Sequence, residues 1–148
     1  MEHPRAYGRL AAMAGLSFVS MYILMYAMVD RPGYVYASLN QAYMAGLMTA
    51  PMILFELWLM RSMYANRRLN AALIVLSVVA GVGCFLLIRD QTAIGDREFI
   101  RSMIPHHSGA ILMCREAPLQ APDLRSLCEQ IIRSQQQEID QMQALLRR

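Results

Sequence analysis

Three long apolar runs are the feature that most constrains the fold of this chain. They cover residues 10–29, 39–60 and 71–88, and the first and third contain no charged residue. An α-helix needs about 20 consecutive apolar residues to cross the hydrocarbon core of a bilayer. Hydrophobic residues make up 56% of the 148 residues and charged residues only 17%, which is typical of membrane proteins. The sequence therefore predicts an all-α protein whose residues 1–90 form a membrane domain of three transmembrane helices.

Details of the apolar runs refine this prediction. The first run resembles a secretory signal, but no small-residue cleavage site follows it, so we expect a retained helix. Pro51 predicts a kink in the second helix, and Glu56 is expected to reach the membrane interface or a partner in the bundle. Four tyrosines near the outer ends of the first two helices are typical of interface anchors: Tyr22, Tyr26, Tyr34 and Tyr36.

The arginines flanking the apolar runs predict the orientation. With three crossings, five of them lie on the side of the N-terminus and three on the other: Arg5, Arg9, Arg61, Arg67 and Arg68 against Arg31, Arg89 and Arg97. Basic residues are enriched on the cytoplasmic side, so we expect a cytoplasmic N-terminus and an external C-terminus. The same arginines account for most of the net charge of +3, and we expect no nucleic-acid binding.

Residues 91–148 are predicted to form a separate domain outside the membrane. Asp96 is a candidate N-cap for a helix ending near Glu116, which is kinked or restarted at Pro105. After a loop bounded by prolines, a second helix is expected from Asp123 to about Leu146. A hairpin of two helices cannot bury both of its faces, so we expect a dimer of hairpins that forms a four-helix bundle.

The dense cluster of donor atoms lies in the first helix of this hairpin. Met103, His106, His107, Met113 and Cys114 fall within twelve residues on one broad helical stripe, and Met142 is expected to face them from the second helix. Thioether, thiolate and imidazole donors suit a soft or borderline metal, and Cu(I) fits them best. Second-sphere candidates, which would orient a histidine, are Gln135, Glu138 and Cys114.

Other interpretations of these residues stay open. Methionine on an apolar stripe is commonly core packing, and a buried histidine commonly satisfies a hydrogen bond. The sequence also leaves open whether Cys114 and Cys128 form a disulfide, which would require an oxidising compartment. Motifs for di-iron, zinc-protease, dithiol redox and acyl-transfer chemistry are absent from the sequence, so we do not expect an enzyme.

The segment Met103-Ile-Pro-His-His-Ser-Gly-Ala-Ile-Leu-Met113, with Gln135-Gln-Gln-Glu-Ile-Asp-Gln-Met142, resembles the bacterial family called domain of unknown function 305. The resemblance covers about residues 92–147, and the N-terminal part is similar to the variant with three preceding membrane helices. It implies a ferritin-like helical fold, a periplasmic location at the bacterial inner membrane, and copper binding in some members. The ligands that it implies are Met103, His106, His107, Met113 and Met142. Here a single short hairpin stands where longer members have more helix, which favours oligomerisation.

Methionines also recur at helical spacing in the predicted membrane helices. One set is Met21, Met25 and Met28, and the other is Met44, Met48 and Met52. Such stripes are similar to those of eukaryotic high-affinity copper transporters, although methionine also packs well against lipid without any further role.

Three functions follow as hypotheses. The first is a membrane-anchored copper-binding protein for buffering, delivery or resistance, which exchanges copper with a donor or acceptor protein. The second is Cu(I) transport through an oligomeric bundle. The third is a structural oligomerisation module without metal. The expected partners are the lipid bilayer and further copies of this chain.

Overall fold

The computed structural model describes residues 3–148, with side chains described from Arg5 onward. The described residues form five α-helices and no strand: α1 (His3–Leu24), α2 (Leu39–Leu59), α3 (Arg67–Arg89), α4 (Asp96–Glu116) and α5 (Pro122–Leu146). Two short 3-10 turns, Met25–Met28 and Pro32–Tyr34, lie between α1 and α2. The predicted all-α class is confirmed.

The first three helices are long and apolar enough to cross a membrane, which indicates a membrane protein. Helices α1 and α3 begin several residues before the apolar runs because the polar residues preceding them continue the same helices. At the start of α3, the Asn66 side chain accepts a hydrogen bond of 3.0 Å from the backbone amide of Leu69, which caps the helix. Helix α2 continues through Pro51 without a break.

Residues up to Leu24 and Asn40–Thr92 form one compact unit. At one end of it, the Tyr7 hydroxyl donates to Asn70 Oδ1 over 2.7 Å and accepts from the backbone amide of Asn66 over 3.2 Å. The Tyr64 hydroxyl donates to Glu56 Oε1 over 3.1 Å, so the acidic residue of α2 has a protein partner. These bonds join the beginning of α1, the end of α2 and the beginning of α3, and they surround a small core of Ala6, Leu10, Leu57 and Tyr64.

The predicted methionine stripe of α1 is interrupted. The α-helix ends at Leu24, and Met25 and Met28 lie in a 3-10 turn, so they do not continue the α-helical face of Met21. From Met25 onward the chain belongs to the compact unit of the C-terminal helices. Met44, Met48 and Met52 do lie on one continuous helix. An open groove of about 520 Å³ within this unit is lined by nine residues, three of which are Met13, Met21 and Met52.

The second compact unit joins Met25–Leu39, which we call the strap, to residues Ala93–Arg148. The predicted division at residue 90 placed the strap with the membrane helices, whereas in the structure it packs against α4 and α5. Helices α4 and α5 form the predicted hairpin around a core of Ile104, Ile111 and Ile139, each with no exposed surface, completed by Tyr34 of the strap. Tyr34 is therefore a core residue of this unit and not an interface anchor.

The start and the proline of α4 differ in detail from the sequence expectations. Gly95 occupies the N-cap position of α4, and Asp96 is its first helical residue. Pro105 lies inside α4 and neither ends nor restarts the helix. A disulfide joins Cys114 to Cys128 across the loop between α4 and α5. Because α4 and α5 are covalently joined near the loop, the hairpin is constrained in the unfolded chain as well as in the folded one.

Candidate metal-binding site

The helical phase of α4 divides the predicted ligands between two sides of the hairpin. Ile104 and Ile111 lie in the core, and His107 falls on the same inward stripe, with 7% of its surface exposed. His106 and Met113 project from the opposite side of the helix and are exposed.

His107 is held by hydrogen bonds at both ring nitrogens. Nδ1 lies 2.8 Å from the carbonyl oxygen of Met103, and Nε2 lies 2.6 Å from Oε2 of Glu138 on α5. The carbonyl and carboxylate oxygens are both acceptors, so each ring nitrogen points at a protein oxygen to which it can donate a hydrogen. Neither nitrogen therefore has a lone pair available to a metal unless one of these bonds opens.

His106 is the imidazole that faces outward. Its ring centroid lies 6.0 Å from that of His107, with the two rings at 69°. Within the described part of the chain, no side chain or backbone group hydrogen-bonds to the His106 ring. Met113, two turns further along α4, is 54% exposed. This side of α4 therefore presents one nitrogen donor and one thioether to solvent.

The remaining predicted ligands lie elsewhere on the hairpin. Met103 is half-buried, one turn before His107, and Met142 on α5 packs against the core. Gln135 is also half-buried on α5. The sulfur of Cys114 is bonded to Cys128, so it cannot act as a thiolate. Among the described residues, no group of three or more His, Cys, Asp or Glu side chains is arranged to hold a metal ion.

The residues that dock the strap were not foreseen from the sequence. The backbone amide of Asp30 donates to the Ser108 hydroxyl over 2.8 Å, and Ser108 is fully buried. The Asp30 carboxylate, 3% exposed, accepts a hydrogen bond from Arg115, and its Oδ2 lies 3.4 Å from Arg31 Nε. The sequence indicates this docking position in one way. Ser108 and Gly109, directly after the two histidines, are small residues that let another segment approach closely.

The comparisons with known proteins agree with this fold without naming an activity. Residues 87–146 match the domain of unknown function DUF305. An uncharacterized protein, L153, of Acanthamoeba polyphaga mimivirus is 32% identical over 133 residues, which cover 88% of this chain and 86% of the viral protein. That similarity extends well beyond the domain into the apolar N-terminal part. No solved structure matches the chain. The chain therefore belongs to the same family as the mimivirus protein and carries a DUF305 domain at residues 87–146.

Proposed function

We propose that this protein is a membrane-anchored copper-binding protein that buffers, delivers or detoxifies Cu(I) and catalyses no reaction. The observation that carries the proposal is the exposed pair of His106 and Met113 on one side of α4. An imidazole nitrogen and a thioether are donors that Cu(I) accepts, whereas Mg²⁺ and Ca²⁺ require oxygen ligands. Both donors are open to solvent, which suits a site that must exchange its metal with a partner protein.

The buried histidine has a supporting place in this proposal. A histidine that binds a metal commonly donates its second ring N–H to a carboxylate, which sets the orientation of the ring. The contact between His107 Nε2 and Glu138 has this form. Coordination through Nδ1 would require the ring to release the carbonyl of Met103. The proposed ligands therefore fall into two groups. His106 and Met113 are the outward pair that carries the proposal, and Met103, His107 and Met142 would bind only if the hairpin core opened.

The proposed location is a bacterial inner membrane, with the N-terminus in the cytoplasm and the C-terminal helices in the periplasm. Two observations support it besides the arginine count. The disulfide between Cys114 and Cys128 is typical of oxidising compartments. The strap follows the first predicted crossing and α4 follows the third, so three crossings leave both on the same side, as their packing in one unit requires.

We also propose that two hairpins pair into a ferritin-like four-helix bundle. The strap covers part of the hairpin, but large apolar side chains stay exposed on both helices: Phe99, Leu124, Leu127 and Leu145. Pairing of two copies would bury these side chains in the way that four-helix bundles bury their core positions.

Two alternative functions have one observation each in their favour. The groove lined in part by Met13, Met21 and Met52 offers several thioethers in the membrane unit, which favours Cu(I) transport. The buried and fully hydrogen-bonded His107 favours a structural oligomerisation module, because a satisfied buried histidine needs no metal to explain it.

The test is a titration of the full-length protein in detergent micelles with Cu(I) against a chromophoric competitor. The full chain is required because the strap contributes to the core of the hairpin unit. We expect stoichiometric binding that is lost in His106→Ala and kept in His3→Ala, which removes the remaining histidine of the chain. Equal affinity of the wild-type protein and His106→Ala would reject the proposed site and favour the structural alternative.

A further inference from the structure

The strap brings one methionine, Met28, next to α4 at Gly109. A Cβ atom built on Gly109 would lie 3.4 Å from the carbonyl oxygen of Met28 and 3.9 Å from its Cβ. The Met28 backbone therefore lies beside Gly109, separated from it by the space of about one methyl group. Two residues later, Asp30 fixes the strap through its amide bond to Ser108 and its ion pair with Arg115. Met28 is thus held in place by neighbouring contacts, and it is not a residue of a free loop.

The position of Gly109 relates Met28 to the exposed donors of α4. His106 precedes Gly109 by three residues, and Met113 follows it by four. Residues at these spacings are neighbours on one side of an α-helix. Side chains on a helix lean toward its N-terminus, so Met113 leans back over Gly109, whereas His106 leans away from it. The Met28 backbone consequently lies beside the turns of α4 that separate the two exposed donors.

The exposure of these three residues is consistent with a surface site. Met28 is 50% exposed and Met113 is 54% exposed, and His106 is exposed as well. The neighbouring methionine of the same 3-10 turn, Met25, is half-buried and has no comparable contact with Gly109. Met28 is therefore the more accessible of the two methionines in this 3-10 turn.

We propose that Met28 is a third ligand, and that a Cu(I) ion is bound by a ring nitrogen of His106 and the thioether sulfurs of Met28 and Met113. This inference rests on the proposed function and adds to it a ligand from outside the DUF305 domain. One imidazole and two thioethers form an uncharged, mostly soft donor set, which favours Cu(I) over Zn²⁺ and excludes Mg²⁺ and Ca²⁺. The site keeps His107 bonded to Glu138 and needs no rearrangement of the hairpin core.

A consequence of this site is that copper and the strap stabilise each other. A ligand that binds only when Met28 rests on Gly109 favours the docked strap by the same factor by which docking strengthens binding. Met28 is four residues beyond the end of α1 and eleven before the start of α2. Copper binding would therefore restrain the segment that connects the first two membrane helices.

The experiment is a Cu(I) competition titration of the full-length protein in micelles, comparing the wild type with Met28→Leu and Met25→Leu. Leucine keeps the apolar volume and removes only the sulfur. We expect Met28→Leu to lower Cu(I) affinity by at least the roughly 10-fold that loss of an outer-sphere partner costs, and Met25→Leu to leave it unchanged. X-ray absorption of the Cu(I) protein should count one sulfur ligand fewer in Met28→Leu, and the same loss in Met113→Leu.

The outcomes separate this inference from the proposed function. If the wild type binds Cu(I), His106→Ala abolishes binding and Met28→Leu matches the wild type in affinity and sulfur count, the Met28 ligand is rejected while the copper function stands. If the wild type itself fails to bind, both are rejected. An equal effect of Met25→Leu and Met28→Leu would also reject the specific ligand, because it would indicate a general effect on the strap. Circular dichroism of the metal-free variants, expected to match the wild type, checks that the strap still folds.

Discussion

The backbone amide of Asp30 donates a hydrogen bond to the hydroxyl of Ser108 across 78 positions of sequence. Because Ser108 follows His107 directly, this bond attaches the connection between the first two apolar helices to the histidine pair. The side chain of Asp30 is nearly fully buried beside Arg115, so its charge depends on that guanidinium for compensation.

We predict that Arg115→Met destabilises the protein by about 1–3 kcal/mol, because it leaves a buried carboxylate without its main partner. The measurement is thermal unfolding of the full chain in micelles, followed by circular dichroism. Arg133→Met is the matched control, since Arg133 and Glu129 are 3.9 Å apart on the surface and both are 70% exposed. Such a pair contributes under about 1 kcal/mol. Equal effects of the two substitutions would contradict a structural role for the Asp30 ion pair.

We predict opposite outcomes for two substitutions of Gly109. An alanine Cβ would meet Met28 at ordinary contact distance, so Gly109→Ala should be tolerated and should gain up to about 1 kcal/mol of helix propensity. Gly109→Leu is too large for that space and should displace the strap. Limited proteolysis within residues 25–39 measures this displacement. Cleavage at the wild-type rate in Gly109→Leu would show that the strap does not rest on this residue.

We predict that the Cys114–Cys128 bond forms in the cell and that its removal by the double substitution Cys114→Ser/Cys128→Ser costs about 3 kcal/mol, the value expected for a loop of this length. Alkylation before and after reduction, read by mass spectrometry, counts the free thiols. Cys84 is the internal control because it is the free cysteine among the described residues. Three alkylated cysteines in the unreduced protein would contradict both the bond and the oxidising location.

We predict an alkaline loss of stability that depends on Tyr64. Burial, together with the hydrogen bond to Glu56 and its negative charge, raises the pKa of Tyr64 from 10.0 to about 12. The folded protein therefore favours the protonated hydroxyl, and this contribution is complete below pH 10 and is lost as the pH rises toward 12. Unfolding measured from pH 8 upward should show a decline that is smaller in Tyr64→Phe. Tyr43→Phe serves as the control, and an identical decline in all three proteins would contradict the prediction.

Much of the helical architecture could be predicted from local patterns. The apolar runs identified α1 to α3, and the prolines and the acidic residues Asp96 and Asp123 placed both ends of the hairpin within a residue or two. These signals are local, because they depend on the periodicity and the capping preferences of neighbouring residues. The presence of histidine and methionine donors on α4 could also be predicted, because it depends only on the local sequence of that helix.

The contacts that define the candidate site could not be predicted in this way. Tyr34 lies 102 positions from its hydrogen-bond partner Gln136, and nothing in either local sequence distinguishes a tyrosine in the hairpin core from one at a membrane interface. Likewise, the expectation of one broad stripe for both histidines does not reveal that His107 faces the core and bonds to Glu138 while His106 faces solvent. These assignments depend on tertiary packing.

The strap determines whether the DUF305 domain can be expressed or transplanted without the rest of the chain. The residues that match the DUF305 domain begin at 87, but the hairpin core also contains Tyr34, and Arg115 is paired with Asp30. A fragment trimmed to the domain would expose Ile104 and Ile111 and leave the Arg115 guanidinium without its carboxylate. In this chain the residues that match the domain therefore do not form a complete folding unit. A truncated fragment or a graft would also have to include residues 25–39.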